Sequence, residues 1–436
     1  RSTLFPYTTL FRSGRRCYDD FVSKAPRVLM IGWELPPHNS GGLGVACANL
    51  SQALADDGVN LSFTLPYQTS VSFCFPLINC ATCSQTTSDS LYPPFNPYQT
   101  VKKKHSHQTA PHPISAMEKQ VEAYAKQVLA FAMAHKNDFD LVHAHDWMSL
   151  PAAMKIKQEL GKPYIAHIHS TEFDRSLQGD LHSYIGSCEA QGMQIADRII
   201  AVSYYTKRVL SEKYFINPEK IDVVHNGVVS LLQDINQVET TFAYQRPVIV
   251  FMGRLTVQKG PDYFLQLAAK VIATRPDALF IVSGMGDMYE QLLFSSAGKS
   301  LSANILFSGF VRGGAQTAIL KRADVFVMPS VSEPFGLVAT EAAILGTPVI
   351  ASKTSGVVEV MKGGANFDFW DIDAMAAEIL HLLADKAYRR QVIAQQIASL
   401  SQATWKKAAK KIEKIYTQVT DKKKSPRKKS RRPRVS

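Results

Sequence analysis

The chain has 436 residues, of which 46% are hydrophobic and 20% charged, and its formal net charge is +12 at pH 7. This length and composition indicate a globular protein with two or three domains, each large enough to build a hydrophobic core. No run of about 18 apolar residues is present to span a bilayer. The N-terminus lacks the apolar core of a signal peptide. We therefore expect a soluble cytoplasmic protein.

Most of the positive charge lies at the two ends of the chain. Residues 421–436 contain nine Lys or Arg and one Asp, and residues 1–27 contain six basic and two acidic residues, which leaves the body formally neutral. A run of like charges with Pro and Ser cannot bury enough apolar surface to fold. Residues 421–436 are therefore predicted to form a disordered basic tail. The alternative is a weak contact with an anionic membrane or a polyanion, with no specific nucleic-acid partner.

The first residues have an unusual sequence. RSTLFPYTTLFRS, residues 1–13, resembles the translation of a sequencing-adapter oligonucleotide. We exclude this segment from functional interpretation and expect the biological protein to start near Gly14 or to have lost its true start.

The cysteines give little indication of a metal site. Cys80 and Cys83 form a CxxC pair, and His105, His107 and His112 follow in a polar stretch. A zinc loop is conceivable, but the spacing matches no common zinc pattern. The favoured interpretation is that the cysteines are reduced and bind no metal.

The first half of the chain alternates strand and helix patterns. RVLMIGW predicts a buried strand, GGLG a loop, and VACANLSQALADDG a helix that ends at Gly58, followed by the strand VNLSFTLP. Residues 79–115 are polar and of low complexity, which predicts an exposed insertion. A helix and four strands that end in polar residues follow, namely DLVHAHD, PYIAHIHS, DRIIAVS and KIDVVHNG. Polar residues at the carboxyl ends of parallel strands predict a site along that edge.

A second series of strands begins after the polar stretch at 233–245. Its members are RPVIVFMGR, ALFIVSG, NILFSGF, DVFVMPS and TPVIAS. We therefore predict an α/β protein with two Rossmann-like, doubly wound parallel-sheet domains, residues 27–240 and 246–402, that face each other across a ligand cleft. WKKAAKKIEKIYTQV, residues 405–419, is typical of an amphipathic helix that packs through its apolar face.

The GGLG segment joins the first strand to the first helix. Without Cβ atoms, Gly41, Gly42 and Gly44 around Leu43 let the backbone approach a ligand, and the helix N-terminus offers N–H groups to a phosphate. The GxGxxG spacing of a dinucleotide fold, and the acid after its second strand, are both missing, which disfavours hydride transfer. The alternative for GGLG alone is a tight turn.

Two cations follow a strand of the second domain. MGRLTVQKG places Arg254 and Lys259 five positions apart in a loop. Together they could neutralise one diphosphate without a metal ion, because Arg supplies a hydrogen-bonding fork and Lys a point charge. The alternative for this motif alone is a pair of surface cations.

Two glutamates lie on either side of the Pro-Phe-Gly turn in SVSEPFGLVATEAAILG. The backbone amides around Gly336 and Leu337, at the start of a predicted helix, can hold a phosphate. Glu333 precedes the helix and can accept hydrogen bonds from sugar hydroxyls. Glu341, about one turn inside, can accept them from the two hydroxyls of a ribose.

Taken together, these motifs resemble the retaining glycosyltransferases of family 4, close to the glycogen and starch synthase-like branch, over about residues 27–420. The resemblance implies a GT-B fold with a helix over residues 403–420 that crosses back to the N-terminal domain. It also implies transfer of a hexosyl group, in particular glucosyl, from an ADP-, UDP- or GDP-sugar to a hydroxyl of a glycan or small molecule. The motifs that carry it are GGLG (41–44), HAHDW (143–147), HIHSTEFD (167–174), HNGV (225–228), GRLTVQKG (253–260) and SEPFGLVATEA (332–342).

The resemblance also implies roles for the donor-side residues. Arg254 and Lys259 are expected to neutralise the departing diphosphate, and Glu333 to bind hydroxyls of the donor sugar. The backbone of Phe335, Gly336 and Leu337 is expected to contact sugar and phosphate, and that of Gly41 to Gly44 the donor. Glu341 is expected to bind ribose. The implied mechanism is a front-face displacement in which the leaving phosphate helps to deprotonate the incoming hydroxyl, without cofactor or metal ion.

His169 matches the family's cleft histidine beside the anomeric centre, and its main-chain carbonyl or side chain is expected to stabilise an oxocarbenium-like state. Without the motif, the alternative for His169 is a hydrogen-bonded histidine at a strand end. Asp373 of the DID sequence is interpreted as a helix N-cap rather than a metal ligand. Asn39 stands where synthases that build glycogen carry a lysine, which favours a different acceptor. A sugar phosphorylase or sugar-phosphate-forming synthase on the same scaffold, and a non-catalytic sugar- or polyanion-binding protein, remain alternatives.

Overall fold

The computed structural model describes residues 26–39, 41–80, 113–177, 183–228, 246–298 and 301–424. The predictions made for residues 1–13, for most of the insertion and for the end of the basic tail lie outside these residues. Within them, no helix is both long enough and apolar enough to span a membrane.

The N-terminal domain is built on a seven-stranded parallel sheet. Its strands are β1 Val28–Ile31, β2 Leu61–Leu65, β3 Leu77–Asn79, β4 Leu141–His145, β5 Tyr164–Ile168, β6 Arg198–Ala201 and β7 Ile221–Val223. Their order in the sheet is β3-β2-β1-β4-β5-β6-β7. The helices are α1 Gly42–Asp56, α2 Pro113–Ala134, α3 Leu150–Leu160, α4 Glu172–Ser176, α5 Tyr184–Ile195 and α6 Tyr204–Lys213.

The C-terminal domain contains a five-stranded parallel sheet. Its strands are β8 Val248–Met252, β9 Leu279–Ser283, β10 Ile305–Gly309, β11 Val325–Met328 and β12 Val349–Ala351. They lie in the order β10-β9-β8-β11-β12. The helices are α7 Pro261–Thr274, α8 Tyr289–Gly298, α9 Gly313–Arg322, α10 Leu337–Ile344, α11 Ile372–Ala384 and α12 Lys386–Leu400.

The prediction of two Rossmann-like domains is confirmed. The central strands of both sheets are short apolar runs buried on both faces, which is the pattern that parallel sheets require because helices cover them on each side. In each sheet the strand order reverses direction once, between β1 and β4 and between β8 and β11. In such sheets ligands bind at the carboxyl ends of the strands beside this switch point.

The last helix, α13, Trp405–Lys424, packs against the N-terminal domain. Its apolar residues Ile412, Ile415 and Tyr416 belong to that domain's core cluster. The hydroxyl of Tyr416 lies 2.6 Å from Nδ1 of His143 in β4. Helix α13, from the C-terminal end of the chain, thus forms part of the core of the N-terminal domain.

Three details differ from the sequence predictions. Helix α13 continues four residues into the predicted tail, as far as Lys424, and the next residue precedes a proline, where helical backbone is disfavoured. The N-cap of α11 is Asp371, which accepts a hydrogen bond from the amide of Ala374. Asp373 lies inside that helix, because the helix begins two residues earlier than predicted.

The predicted insertion also starts too early. Asn79 ends the edge strand β3, and Cys80 is buried in the N-terminal core. A strand of three residues is too short to show the alternation by which strands are recognised.

Candidate active site

A cavity of about 580 Å³ lies between the two domains, lined by residues that follow strands of both sheets. Almost all of the site residues predicted from the sequence line it. From the N-terminal domain these are Gly41, Gly42, Leu43 and His169, and from the C-terminal domain Arg254, Lys259, Glu333, Phe335, Gly336, Leu337 and Glu341. Residues far apart in the sequence thus face one space of the size that small-molecule ligands occupy.

Gly44 is the exception among the predicted donor-binding residues, because it does not line the cavity. Its amide donates a 3.1 Å hydrogen bond to Oε1 of Glu34, which is fully buried. Helix α1 begins at Gly42, so Gly44 lies in its first turn, where an amide has no partner within the helix. A buried carboxylate at this position is stabilised by the helix dipole. The amide of Gly44 is therefore not available to a phosphate.

Lys259 and Glu333 form an ion pair on the C-terminal side of the cleft. Lys259 ends the 3₁₀ turn Val257–Lys259 that follows β8. Glu333 is only 7% exposed and comes from the loop after β11. A 2.9 Å hydrogen bond from the amide of Val331 to the carbonyl of Gln258 joins the two loops. The backbone therefore fixes the ammonium and the carboxylate beside each other.

The N-terminus of α10 points into the cleft beside this pair. Gly336, the residue before the helix, has a φ of 102°, and a Cβ there would lie 2.8 Å from Cε of Met328. Only glycine accepts this conformation and this contact without strain. The first amides of α10 have no acceptor within the helix. A helix terminus of this kind, near Arg254 and Lys259, is suited to bind an anion.

Glu341 faces the same cavity from the second turn of α10. Nε2 of Gln316 in α9 donates a 2.6 Å hydrogen bond to its carboxylate. Burial raises the pKa of Glu341 to about 7, although this hydrogen bond lowers it. Gln316 also lines the cavity, and the sequence analysis did not identify it, because nothing in the pattern of α9 distinguishes it from a surface residue.

His169 follows β5 and is held by Asp146, which follows β4. Oδ1 of Asp146 accepts a 2.6 Å hydrogen bond from the backbone amide of His169. Asp146 is 1% exposed and has a positive φ of 57°, and burial raises its pKa to about 7. Burial also lowers the pKa of His169 to about 3, so its imidazole is neutral at physiological pH. Asp146 belongs to the HAHDW motif, and its position directly after a strand could have identified it.

Two glycosyltransferase family models match this chain. The model for Glycosyltransferase Family 4 matches residues 40–230, and the model for Glycosyl transferases group 1 matches residues 233–398. The chain belongs to the family 4 glycosyltransferases. The predicted GT-B fold is thereby confirmed, and the protein is an enzyme of the glycosyltransferase class.

Relatives of this glycosyltransferase match nearly its whole length. It is 27% identical over 411 residues to an uncharacterized glycosyltransferase of Methanocaldococcus jannaschii, covering 89% of this chain and 97% of that protein. It is 26% identical over 420 residues to a glycogen synthase of Mycobacterium tuberculosis, covering 89% and 94%. The fold is similar to the catalytic domain of starch synthase IV from Arabidopsis thaliana bound to ADP and acarbose, with a TM-score of 0.67, 14% identity and coverage of 91% and 100%.

Hydrogen bonds join the two domains of this glycosyltransferase beside the cleft. The guanidinium of Arg312 donates hydrogen bonds of 2.8 Å and 2.7 Å to the carbonyls of Pro37 and Asn39, beside the GGLG segment. The hydroxyl of Ser332 donates a 2.6 Å hydrogen bond to Asp174 of α4. These contacts hold loops of the two domains next to each other. None of these contacts was identified from the sequence, because each joins residues on different domains.

Proposed function

We propose that this glycosyltransferase moves a hexosyl group from a nucleotide-sugar donor to a hydroxyl of a glycan or small molecule, with retained anomeric configuration and without a metal ion. One observation carries the proposal: Arg254, Lys259, Glu333 and Glu341 line a single cleft around the N-terminus of α10. The cations and the helix terminus are complementary to a diphosphate. The carboxylates are complementary to hydroxyl groups on either side of it.

In this proposal the donor lies on the C-terminal side of the cleft. Arg254 and Lys259 neutralise the diphosphate as it departs, which is the task that a bound cation performs in metal-dependent transferases. Glu333 binds hydroxyls of the sugar, and Glu341 binds the ribose. The starch synthase that shares the fold is bound to ADP and acarbose, which supports a nucleotide-sugar donor. The proposed donor is an ADP-, UDP- or GDP-sugar.

The reaction proceeds on one face of the donor sugar. As the bond between the anomeric carbon and the phosphate oxygen breaks, this oxygen takes the proton of the incoming hydroxyl, whose oxygen forms the new bond. Glu333 is paired with Lys259, and we therefore assign it to positioning and charge stabilisation rather than to covalent attack. His169, neutral and held through its backbone by Asp146, supports the positive charge that develops at the anomeric carbon.

The test is a screen of ADP-, UDP- and GDP-glucose for transfer or hydrolysis in the presence of EDTA, with the linkage of the product determined by NMR. We expect turnover with at least one donor and an α-linked product. Lys259→Met should lower kcat by about 10²–10³-fold, the effect of removing one preorganised charge-stabilising donor. Glu333→Gln should lower kcat/KM for the same donor.

Lys270→Met is the matched control, because Lys270 lies in the same domain and forms an exposed ion pair with Asp373. It should keep wild-type turnover. Activity in Lys259→Met equal to that of Lys270→Met would contradict the proposed role of the cleft cations. A product with inverted configuration would contradict the front-face mechanism, and loss of transfer in EDTA that returns with added metal would contradict metal independence.

A further inference from the structure

A cluster of histidines lies beside the cleft in the core of the N-terminal domain. His143 and His145 alternate along β4, and His167 and His169 do so at the end of β5, so that their side chains share one face of the sheet. The rings stack along each strand, with centroids 4.4 Å and 4.2 Å apart. Cys47 of α1 is buried against the same group. The mechanism above uses His169 alone.

Three of the side chains in and around the cluster, Cys47, His145 and His169, lie close enough together to hold one metal ion. Nδ1 of His145 and Nε2 of His169 are 3.1 Å apart. With Sγ of Cys47, one ligand atom from each residue lies within 4.8 Å of the others. Two nitrogens bound to one tetrahedral Zn²⁺ lie about 3.3 Å apart, given Zn–N bonds of about 2.0–2.1 Å. The imidazole pair is therefore already spaced for a shared ion.

Ring tautomers and nearby carboxylates allow the cluster to accept an ion. When each imidazole carries its proton on its other ring nitrogen, Nδ1 of His145 and Nε2 of His169 both present a lone pair to the ion. The negative charges of Asp146 and Glu34 act at the Cys47 thiol and stabilise a positive ion there. The remaining ring nitrogens, Nε2 of His145 and Nδ1 of His169, have no hydrogen-bond partner among the described residues.

We propose that Cys47, His145 and His169 form a binding site for Zn²⁺ or a similar thiophilic divalent ion, and that an ion held there inhibits glycosyl transfer. Binding replaces the proton of the Cys47 thiol by the metal, with release of one H⁺ to solvent. The thiolate offsets part of the charge of the ion in the protein interior. His169 lines the cleft, whereas Cys47 and His145 do not, so the ion enters from the cleft and leaves one coordination position facing it.

A neighbouring group, His143, His145 and His167, also has ligand atoms within 4.8 Å of one another. It contains no thiolate, and none of its members lines the cleft. A dication there has neither an anionic ligand nor a direct route from solvent. For these reasons we assign the site to the group that contains Cys47.

The test uses the full-length protein after treatment with a chelator, with Co²⁺ as a spectroscopic probe and Zn²⁺ as the competing ion. We expect one Co²⁺ per chain, with the near-ultraviolet charge-transfer absorption of a cobalt–thiolate bond, and its loss when Zn²⁺ is added. Cys47→Ala should remove this absorption and weaken Zn²⁺ binding by about tenfold or more. Cys188→Ser and Cys74→Ser are matched controls, because they change other free cysteines, and they should keep the absorption.

The inhibition is measured separately and rests on the proposed function. Zn²⁺ should inhibit transfer by the wild type at the concentration that displaces Co²⁺, and should inhibit Cys47→Ala only at a concentration about tenfold higher or more.

Absence of the cobalt–thiolate absorption, or its persistence in Cys47→Ala, would overturn the site. Zn²⁺ bound without loss of transfer would overturn the inhibitory role. If no donor supports transfer, the proposed function fails while the cobalt measurement still decides the site. Cys47→Ser, closer to Cys in volume, replaces Cys47→Ala if circular dichroism shows that the latter does not fold.

Discussion

Glu341→Gln is the substitution that most directly tests the donor side of the cleft. Burial raises the pKa of Glu341 to about 7, so the carboxyl is mostly protonated about one pH unit below this value and mostly ionised about one unit above it. Glutamine has nearly the same shape and keeps an oxygen that can accept the hydrogen bond from Gln316. It does not titrate. The variant therefore separates the charge of Glu341 from its packing.

The magnitude follows from the shift in pKa. A change in the pKa of Glu341 from the ordinary 4.5 to about 7 corresponds to a free-energy difference of about 3 kcal/mol between its two protonation states. Because the folded-state pKa of Glu341 lies above the unfolded one, the protonated carboxyl stabilises the fold. This contribution is fully present below pH 4.5 and is lost as the pH rises through about 7. Water in the cleft reaches part of the carboxyl, which makes about 3 kcal/mol an upper bound.

Two measurements follow, the melting temperature and the KM for the donor, each taken from about pH 5 to about pH 8. Relative to Glu341→Gln, the melting temperature of the wild type should fall with rising pH. If the ionised carboxylate binds ribose, the wild-type KM should fall as the pH passes 7, by about tenfold or more, since hydrogen bonds to a charged group contribute about 1.5–3 kcal/mol. In Glu341→Gln the KM should be higher at the alkaline end and nearly independent of pH.

The comparison with the variant is needed because Asp146 in the same cleft also has a pKa of about 7. Asp373→Asn, an exposed acid outside the cleft, is the control and should follow the wild type. A KM profile in Glu341→Gln identical to that of the wild type would refute the ribose role. A difference in melting temperature that does not change with pH would refute the raised pKa.

Two further substitutions test how α13 completes the N-terminal domain. Tyr416→Phe removes the hydroxyl 2.6 Å from Nδ1 of His143 and leaves a buried nitrogen unpaired, so unfolding in urea should show a loss of about 1–3 kcal/mol; an unchanged midpoint would contradict the contact. Gly227→Ala places a Cβ 2.2 Å from the backbone nitrogen of Trp405, which should displace the start of α13, lower the melting temperature and expose this helix to proteolysis. A variant as resistant to protease as the wild type would show that α13 docks by other contacts.

The fold was predictable because its determinants are local in the sequence. Each central strand is a short apolar run between turn or helix patterns, and parallel strands with crossover helices have few alternative arrangements. The short edge strand β3 was missed because three residues carry too little pattern. The N-cap at Asp371 was misplaced because two aspartates lie at the start of α11, and only backbone geometry shows which one precedes the helix.

The site was predictable to the extent that its residues follow strands. His169, Arg254 and Glu333 each lie just beyond a strand end, and the carboxyl ends of parallel strands meet at one edge of a sheet. Gly44, which was predicted to contact the donor, does not line the cavity, and the partner of its amide, Glu34, cannot be recognised from spacing.

The sequence by itself determined the fold class, the two domains and many of the residues that face the cleft, because apolar periodicity and the position of polar residues at strand ends are properties of short segments. Only the tertiary structure decided which side chains meet across elements: Lys259 with Glu333, Gln316 with Glu341, and Cys47 with His145 and His169. The reason is physical. A hydrogen bond, an ion pair or a shared metal ligand depends on separations of a few ångströms between residues distant in the chain, and these separations are set by how whole helices and sheets pack.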